Sequence, residues 1–215
     1  MPVTYPNEST DYRAARDALL KSEIELRAKI EAVAEERRKL PLGGRVEDYR
    51  FKNLNGDDCQ ISSLFGQQDS LALYSLMFAP GDDAPCPMCV SMLDGLNAQA
   101  THISQRIALA VVAANTPEAL SALADARGWG NLNLVSAADT SYQRDYHAER
   151  DGGQLPIMNV FRREGDAVHH FWGSELFFAD VPGQPRHVDQ LWPLWNVFDL
   201  TPEGRGEDWY PALNY

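Results

Sequence analysis

Two cysteines stand three positions apart in the segment PGDDAPCPMCVSMLDG, residues 80–95. Cys86-Pro87-Met88-Cys89 follows an apolar run and precedes a helical pattern. Pro87 suits the first position of a helix, where its missing N–H would have no partner in any case. That makes Cys86 the N-cap, its sulfur beside the unpaired N–H groups and the positive end of the helix dipole. Such a setting lowers a thiol pKa from about 8.5 toward neutrality and favours the nucleophilic thiolate. Cys89, Leu93, Leu96, Ala100 and Ile103 recur at alternating spacings of four and three, so they share one helix face and point to the core. An outer, acidified thiol above a shielded one is what disulfide exchange requires: Cys86 attacks and Cys89 resolves the mixed disulfide. Asp82 and Asp83 lie just upstream and oppose the thiolate, and Met88 brings no positive charge. The expected thiol is therefore less acidified than that of a strongly oxidising enzyme.

Elements on either side must hold this pair in place. The chain has 215 residues, enough for one sizeable core with an appendage. With 31 acidic against 19 basic side chains its net charge is -12, and no basic block exceeds Arg37-Arg38-Lys39, which argues against a nucleic-acid partner. No apolar run is long enough to span a bilayer and the N-terminus has no apolar leader, so a soluble, cytoplasmic protein is expected. Three cysteines form no disulfide framework, and in a reducing compartment a CxxC pair points to catalysis or metal binding.

Residues 11–40 read as one long helix, capped by Ser9 or Thr10 and stopped by Pro41 and Gly43-Gly44. Tyr12, Leu19, Leu26, Val33 and Leu40 make a narrow seam every seven residues, while the companion positions include Arg16, Glu23 and Arg37. A helix docked on its own domain and a homodimerisation arm both fit. The expected division is an N-terminal helical extension, 1–44, and a main domain, 45–215.

In the main domain a hairpin is expected around Asn55-Gly56-Asp57, between strands at Tyr49–Phe51 and Cys59–Ile61. LALYSLMFA, 71–79, suits a strand buried on both faces. After the cysteines come a strand over 107–114, a helix from Thr116-Pro117-Glu118 to Gly128, a strand over 132–136 and a short helical stretch over 139–147. A strand over 156–163 then pairs with another over 167–172 through Glu164-Gly165-Asp166. This order predicts an α/β domain with a mixed central sheet flanked by helices, arranged as in a thioredoxin-type fold. In that fold a cis-proline faces the CxxC and leaves the preceding backbone free to pair with an extended substrate. The resemblance puts Leu155-Pro156 there, although an X-Pro bond is trans by default. Pro87, Met88, Leu155 and Pro156 are thus the candidate substrate-binding residues, and Cys86 and Cys89 the catalytic ones.

The stretches RAARDALLKSEIELRAKIEAVAEERRKLP, DYRF with NGDD, ISSLF, FAPGDDAPCPMC, SMLDG, GWG and LWPLWNVFDLTPEGRGEDW together resemble an uncharacterised bacterial family of thioredoxin-like proteins, catalogued as a domain of unknown function. The resemblance runs from about Tyr12 to Trp209 and implies a thioredoxin-like fold without an activity. Family members usually carry glycine where this chain has Met88. The proline directly after the first cysteine is also similar to that of glutaredoxins and periplasmic oxidants.

These features predict a thiol–disulfide oxidoreductase acting on a protein or a small thiol or disulfide, with no cofactor and no membrane partner. A zinc or copper site is a rival, since CxxC supplies two soft ligands. Its further ligands would be Cys59 and His169 or His170, at no recognisable spacing. A redox-inert module that binds a protein partner is another. The peroxiredoxin motif places a threonine three residues before the reactive cysteine, and here Asp83 stands there; no Gly-x-Ser-x-Gly elbow supports a hydrolase. Cys59 is expected to be a small buried hydrophobe. His169 and His170, on alternate faces of a strand, should be one exposed and one covered. Arg205 and the neighbouring tryptophans are expected to pack the C-terminus over the core rather than to line a groove.

Overall fold

A computed structural model describes residues 3–214. The chain divides between Pro41 and Leu42 into two compact units. The first is built on α1, Thr10–Arg38. Ser9 is its N-cap, accepting a hydrogen bond from the Tyr12 N–H at 3.1 Å. Ion pairs one turn apart, Arg13 with Asp17, Arg27 with Glu31 and Lys39 with Glu35, run along its surface. None of its residues is buried, and Tyr12, Leu19, Leu26 and Leu40 of the seam are exposed.

The second unit opens with the expected hairpin, β1 (Arg50–Lys52) and β2 (Asp58–Gln60). The Asn53 carboxamide oxygen accepts from the N–H groups of Asn55 and Asp57, and Gly56 takes the positive φ of 85° that the turn needs. There follow β3 (Ser70–Ser75), α2 (Pro87–Ile103), β4 (Ala108–Ala113), α3 (Pro117–Arg127), β5 (Asn133–Ser136) and the single turn α4 (Tyr142–Asp145). A small hairpin, β6 (Glu149–Arg150) and β7 (Gly153–Gln154), precedes the long one, β8 (Met158–Glu164) and β9 (Ala167–Gly173). The last helix, α5, is Pro193–Phe198.

Seven strands form one sheet in the order β2-β1-β5-β4-β3-β8-β9. β3, β4 and β5 are parallel, joined through α2 and α3, whereas β8 runs antiparallel to β3 and β9 antiparallel to β8. This is the thioredoxin-like α/β arrangement that the element order predicted. The apolar run of β3 is explained by its central place. Tyr74 and Leu76 pack with α2 on one face, while Leu71 and Leu73 pack with Phe51, Phe65, Tyr142 and Phe161 on the other. Among the described residues no helix is long and apolar enough to cross a membrane.

Three sequence expectations change here. Cys59 is half-buried rather than buried, because β2 is the outermost strand of the sheet. His169 and His170 are both half-buried: His169 is flanked by the segment of Gly43 and Arg45, and His170 packs against Tyr146 and Phe161. His169 Nδ1 lies 3.1 Å from the Gly43 carbonyl oxygen, and His170 Nε2 lies 3.0 Å from Asn159 Oδ1. The helical stretch expected over 139–147 contracts to α4.

Candidate functional site

β3 delivers the chain to the start of α2, and the strand-to-helix turn is tied back where the Cys86 N–H donates to the Met77 carbonyl oxygen at 3.0 Å. Cys86 is the N-cap and Pro87 the first helical residue. Cys89, Leu93, Leu96 and Ala100 are buried on one helix face, as their spacing required. Cys89 is 2% exposed; Cys86 remains partly open, and both are free thiols.

The two sulfurs have opposite electrostatics. Cys86 is brought down to about 6, chiefly by its hydrogen bond with the Cys89 thiol, against the upward push of burial; the Cys89 N–H, the Tyr210 hydroxyl and the Met88 N–H add to the lowering. The Cys86 side chain makes no capping hydrogen bond of full geometry, and the helix start favours the thiolate through these nearby N–H groups. Cys89 is pushed up, first by that same hydrogen bond with Cys86 and then by burial. The Tyr74 hydroxyl, from β3, donates to Cys89 Sγ at 3.3 Å and eases the formation of a thiolate there. Tyr210 Oη lies 3.6 Å from Cys86 Sγ. Burial and the adjacent sulfur push Tyr210 up to about 12, which keeps its proton in place as a donor.

Of the two acidic residues upstream, Asp82 is held within its own turn. Asp82 faces its own turn, accepting from the Ala79 N–H at 2.7 Å and from Gln154 Nε2 at 3.0 Å. Gln154 in turn accepts from the Phe78 N–H through Oε1, which couples β7 to the segment leading into the cysteines.

Cys86, Met88, Cys89, Leu155 and Pro156 line one cavity of about 220 Å³. Tyr74, Phe177, His187, Trp192 and Tyr210 complete most of its wall. Pro87, although in the motif, is not among the lining residues. The backbone at Leu155-Pro156 departs from the expectation in two ways. There is no cis peptide bond among the described residues. The Leu155 N–H donates to the Ala148 carbonyl oxygen at 2.8 Å, and the Leu155 carbonyl oxygen accepts from the Ile157 N–H at 3.2 Å. That backbone is occupied by the chain itself, since β6 and β7 bring Ala148 alongside.

Sequence reasoning missed Tyr74, Gln154, His187 and Tyr210. His187 Nδ1 is buried without a hydrogen-bond partner, and burial pushes the imidazole down to about 4. Arg205 lies 5.1 Å from the centroid of the Trp195 ring and pairs with Asp189 and Asp199, while Trp192 and Trp195 are buried in the core. The aromatic end is therefore mainly a packing device, although Trp192 also reaches the cavity. Among the described residues no three His, Cys, Asp or Glu side chains are grouped to hold a metal ion.

The sequence matches the model of a family described as "Bacterial protein of unknown function (DUF899)" over residues 2–215. No curated protein matches it. Solved structures similar to the chain include a peroxiredoxin Q of Xanthomonas campestris, at 14% identity and a TM-score of 0.49, over 74% of this chain and 96% of that one. The peroxidoxin BcpB of Mycobacterium tuberculosis is similar at 16% identity and a TM-score of 0.46, over 72% and 95% of the two chains. The exposed lipoprotein thioredoxin Etrx1 of Streptococcus pneumoniae is similar at 14% identity and a TM-score of 0.43, over 69% and 99%.

Proposed function

The chain belongs to the bacterial DUF899 family, and on that premise we propose that it is a thiol–disulfide oxidoreductase of thioredoxin-like type, with Cys86 as nucleophile and Cys89 as resolving thiol. The observation that carries this reading is the asymmetry of the pair: an acidified, partly open Cys86 in hydrogen-bond contact with a buried Cys89. A thiol brought to about 6 is mostly thiolate at neutral pH, and the thiolate is the reactive form.

The step runs as follows. Cys86 thiolate attacks one sulfur of a disulfide; that S–S bond breaks, a mixed disulfide forms, and the other sulfur leaves as a thiolate that takes a proton from solvent. Cys89 gives up its proton and attacks Cys86 Sγ, releasing the second substrate sulfur. Two electrons pass from the cysteine pair to the substrate, which ends as two thiols while the pair ends as a disulfide. Tyr74 aids the second half, because its hydroxyl donates to the sulfur that must become a thiolate in a buried place.

The test is a titration of the full chain against reduced and oxidised glutathione, with acid trapping and mass spectrometry. A reversible two-electron equilibrium is expected, and Cys89→Ser should accumulate a mixed disulfide on Cys86. A pair that never oxidises, or stoichiometric metal on the purified protein, would overturn the reading.

A further inference from the structure

We infer that the disulfide reduced at Cys86 belongs to a small molecule rather than to an extended protein segment; this rests on the exchange chemistry proposed above. Three independent features of the cavity wall point the same way.

The first is the backbone beside the cysteines. A protein substrate laid against Leu155 would need a free N–H and C=O to form a strand-like pair. The Leu155 N–H is held by Ala148 at 2.8 Å and its C=O by Ile157 at 3.2 Å. The Gln154 side chain next to them is also held at both ends, by Phe78 and Asp82. An incoming peptide strand would have to displace these bonds of Leu155 to pair with its backbone.

The second feature is the C-terminal strap, residues 201–213. Arg205 fastens it to Asp189 and Asp199 and lies over Trp195. Trp209 packs edge-on against Trp195 and Phe198, with ring centroids 5.4 and 5.0 Å away. Beyond Tyr210, the Leu213 carbonyl oxygen accepts from Arg127 Nη1 at 2.8 Å. The strap is thus fixed on both sides of the residue that touches Cys86 Sγ. A folded protein that brings a disulfide to Cys86 meets this fixed segment at the sulfur, whereas a small disulfide need only enter the cavity.

The third feature is size and chemistry. The cavity holds about 220 Å³, below the about 300 Å³ at which pockets for drug-sized ligands begin. Its wall is mainly apolar around the sulfurs, with Met77, Met88, Pro156, Phe177 and Trp192.

The experiment compares single-turnover oxidation of the fully reduced, full-length protein by hydroxyethyl disulfide and by insulin at equal disulfide concentration. The small disulfide is expected to react faster by about a hundredfold, the scale at which misplacing reactants limits a step. Loosening the strap with Arg205→Ala is expected to raise the insulin rate relative to the small-disulfide rate, so that the ratio of the two falls by about tenfold. Insulin reacting as fast as hydroxyethyl disulfide in the unaltered protein would overturn the substrate assignment while leaving exchange itself standing. Failure of both disulfides to oxidise the pair would overturn the exchange reading and this inference with it.

Discussion

Ser9 and Cys86 hold the same position, the N-cap, in the two longest helices, yet they are used differently. Ser9 turns its hydroxyl onto the Tyr12 N–H and closes the first turn of α1. Cys86 makes no capping bond through its side chain; its sulfur contacts Cys89 and Tyr210 instead. The difference follows from what else holds each helix. α1 has no buried residue, so local terms such as caps and ion pairs carry its first turn. α2 is pinned by a buried face of Cys89, Val90, Met92, Leu93, Leu96 and Ala100, and Pro87 has already removed one N–H that would need a partner. A helix anchored by its core can leave its cap atom free for chemistry.

The largest effect expected from this contrast is on reactivity. Cys86→Ser should lower the exchange rate by about a thousandfold or more, because a hydroxyl is not a nucleophile at neutral pH. Thermal stability at pH 5, where the sulfur is a neutral thiol, should hold or rise, since a serine hydroxyl at a cap can take the bond that the sulfur leaves unmade. Stopped-flow disulfide reduction and a melting curve read the two halves separately; a large fall in Tm would break the claim that α2 does not depend on its cap. Next in size is the contrast of faces. Leu93→Ala should cost about 2–5 kcal/mol in urea unfolding, as for a fully buried leucine. Leu26→Ala, at a position 61% exposed, should fall within about 0.5 kcal/mol. If Leu26→Ala cost as much as Leu93→Ala, the seam of α1 would be covered in solution, as paired copies of the helix would require.

The two helices also show what sequence pattern conveys. Both have apolar residues at helical spacing, and in α2 the spacing located the buried face. It did not tell whether the seam of α1 is covered, because burial depends on chain elsewhere. The strands of the large sheet, the turn at Asn55-Gly56-Asp57 and the place of Cys86 at the start of α2 were legible, since each rests on neighbours a few residues away. The remainder of the site was not. Tyr210 meets Cys86 across 124 positions of chain, and Gln154 meets Asp82 across 72. No local pattern marks such meetings, and nothing about the sequence around His187 distinguishes it from an ordinary loop histidine. The free edge expected at Leu155 failed for the same reason: its partner, Ala148, lies in a two-residue strand-and-turn segment too short to carry a period.

A smaller effect tests the strap's part in the contrast. With its pKa depressed to about 6, the Cys86 thiol should alkylate at a rate that climbs through that pH and levels off above about 7. Tyr210→Phe keeps the ring and removes the hydroxyl that donates to Cys86 Sγ. The midpoint should then move upward, by up to about one pH unit, which at pH 5 is about tenfold slower alkylation. The linkage has a definite sign: a depressed thiol pKa contributes stability that is full above the unfolded thiol's pKa and is lost as pH falls through about 6. The variant should therefore lose some stability at pH 8 and none at pH 5. An unmoved alkylation midpoint would mean that Cys89 and the helix start account for the acidity of Cys86 without Tyr210.

The smallest effect returns to the other cap. Ser9→Ala removes the oxygen that accepts from the Tyr12 N–H, at a cost of about 1 kcal/mol to the first turn of α1. In native-state hydrogen exchange this should appear as about fivefold lower protection of the Tyr12 amide. Protection deeper in α2, at Leu93 and Leu96, should not change, nor should the alkylation profile of Cys86. The outcome matters for the meaning of the comparison. If Ser9→Ala left the first turn of α1 intact, then that turn would be held by something other than its cap, and the pairing of helix copies that Leu26→Ala also probes would become the explanation for both.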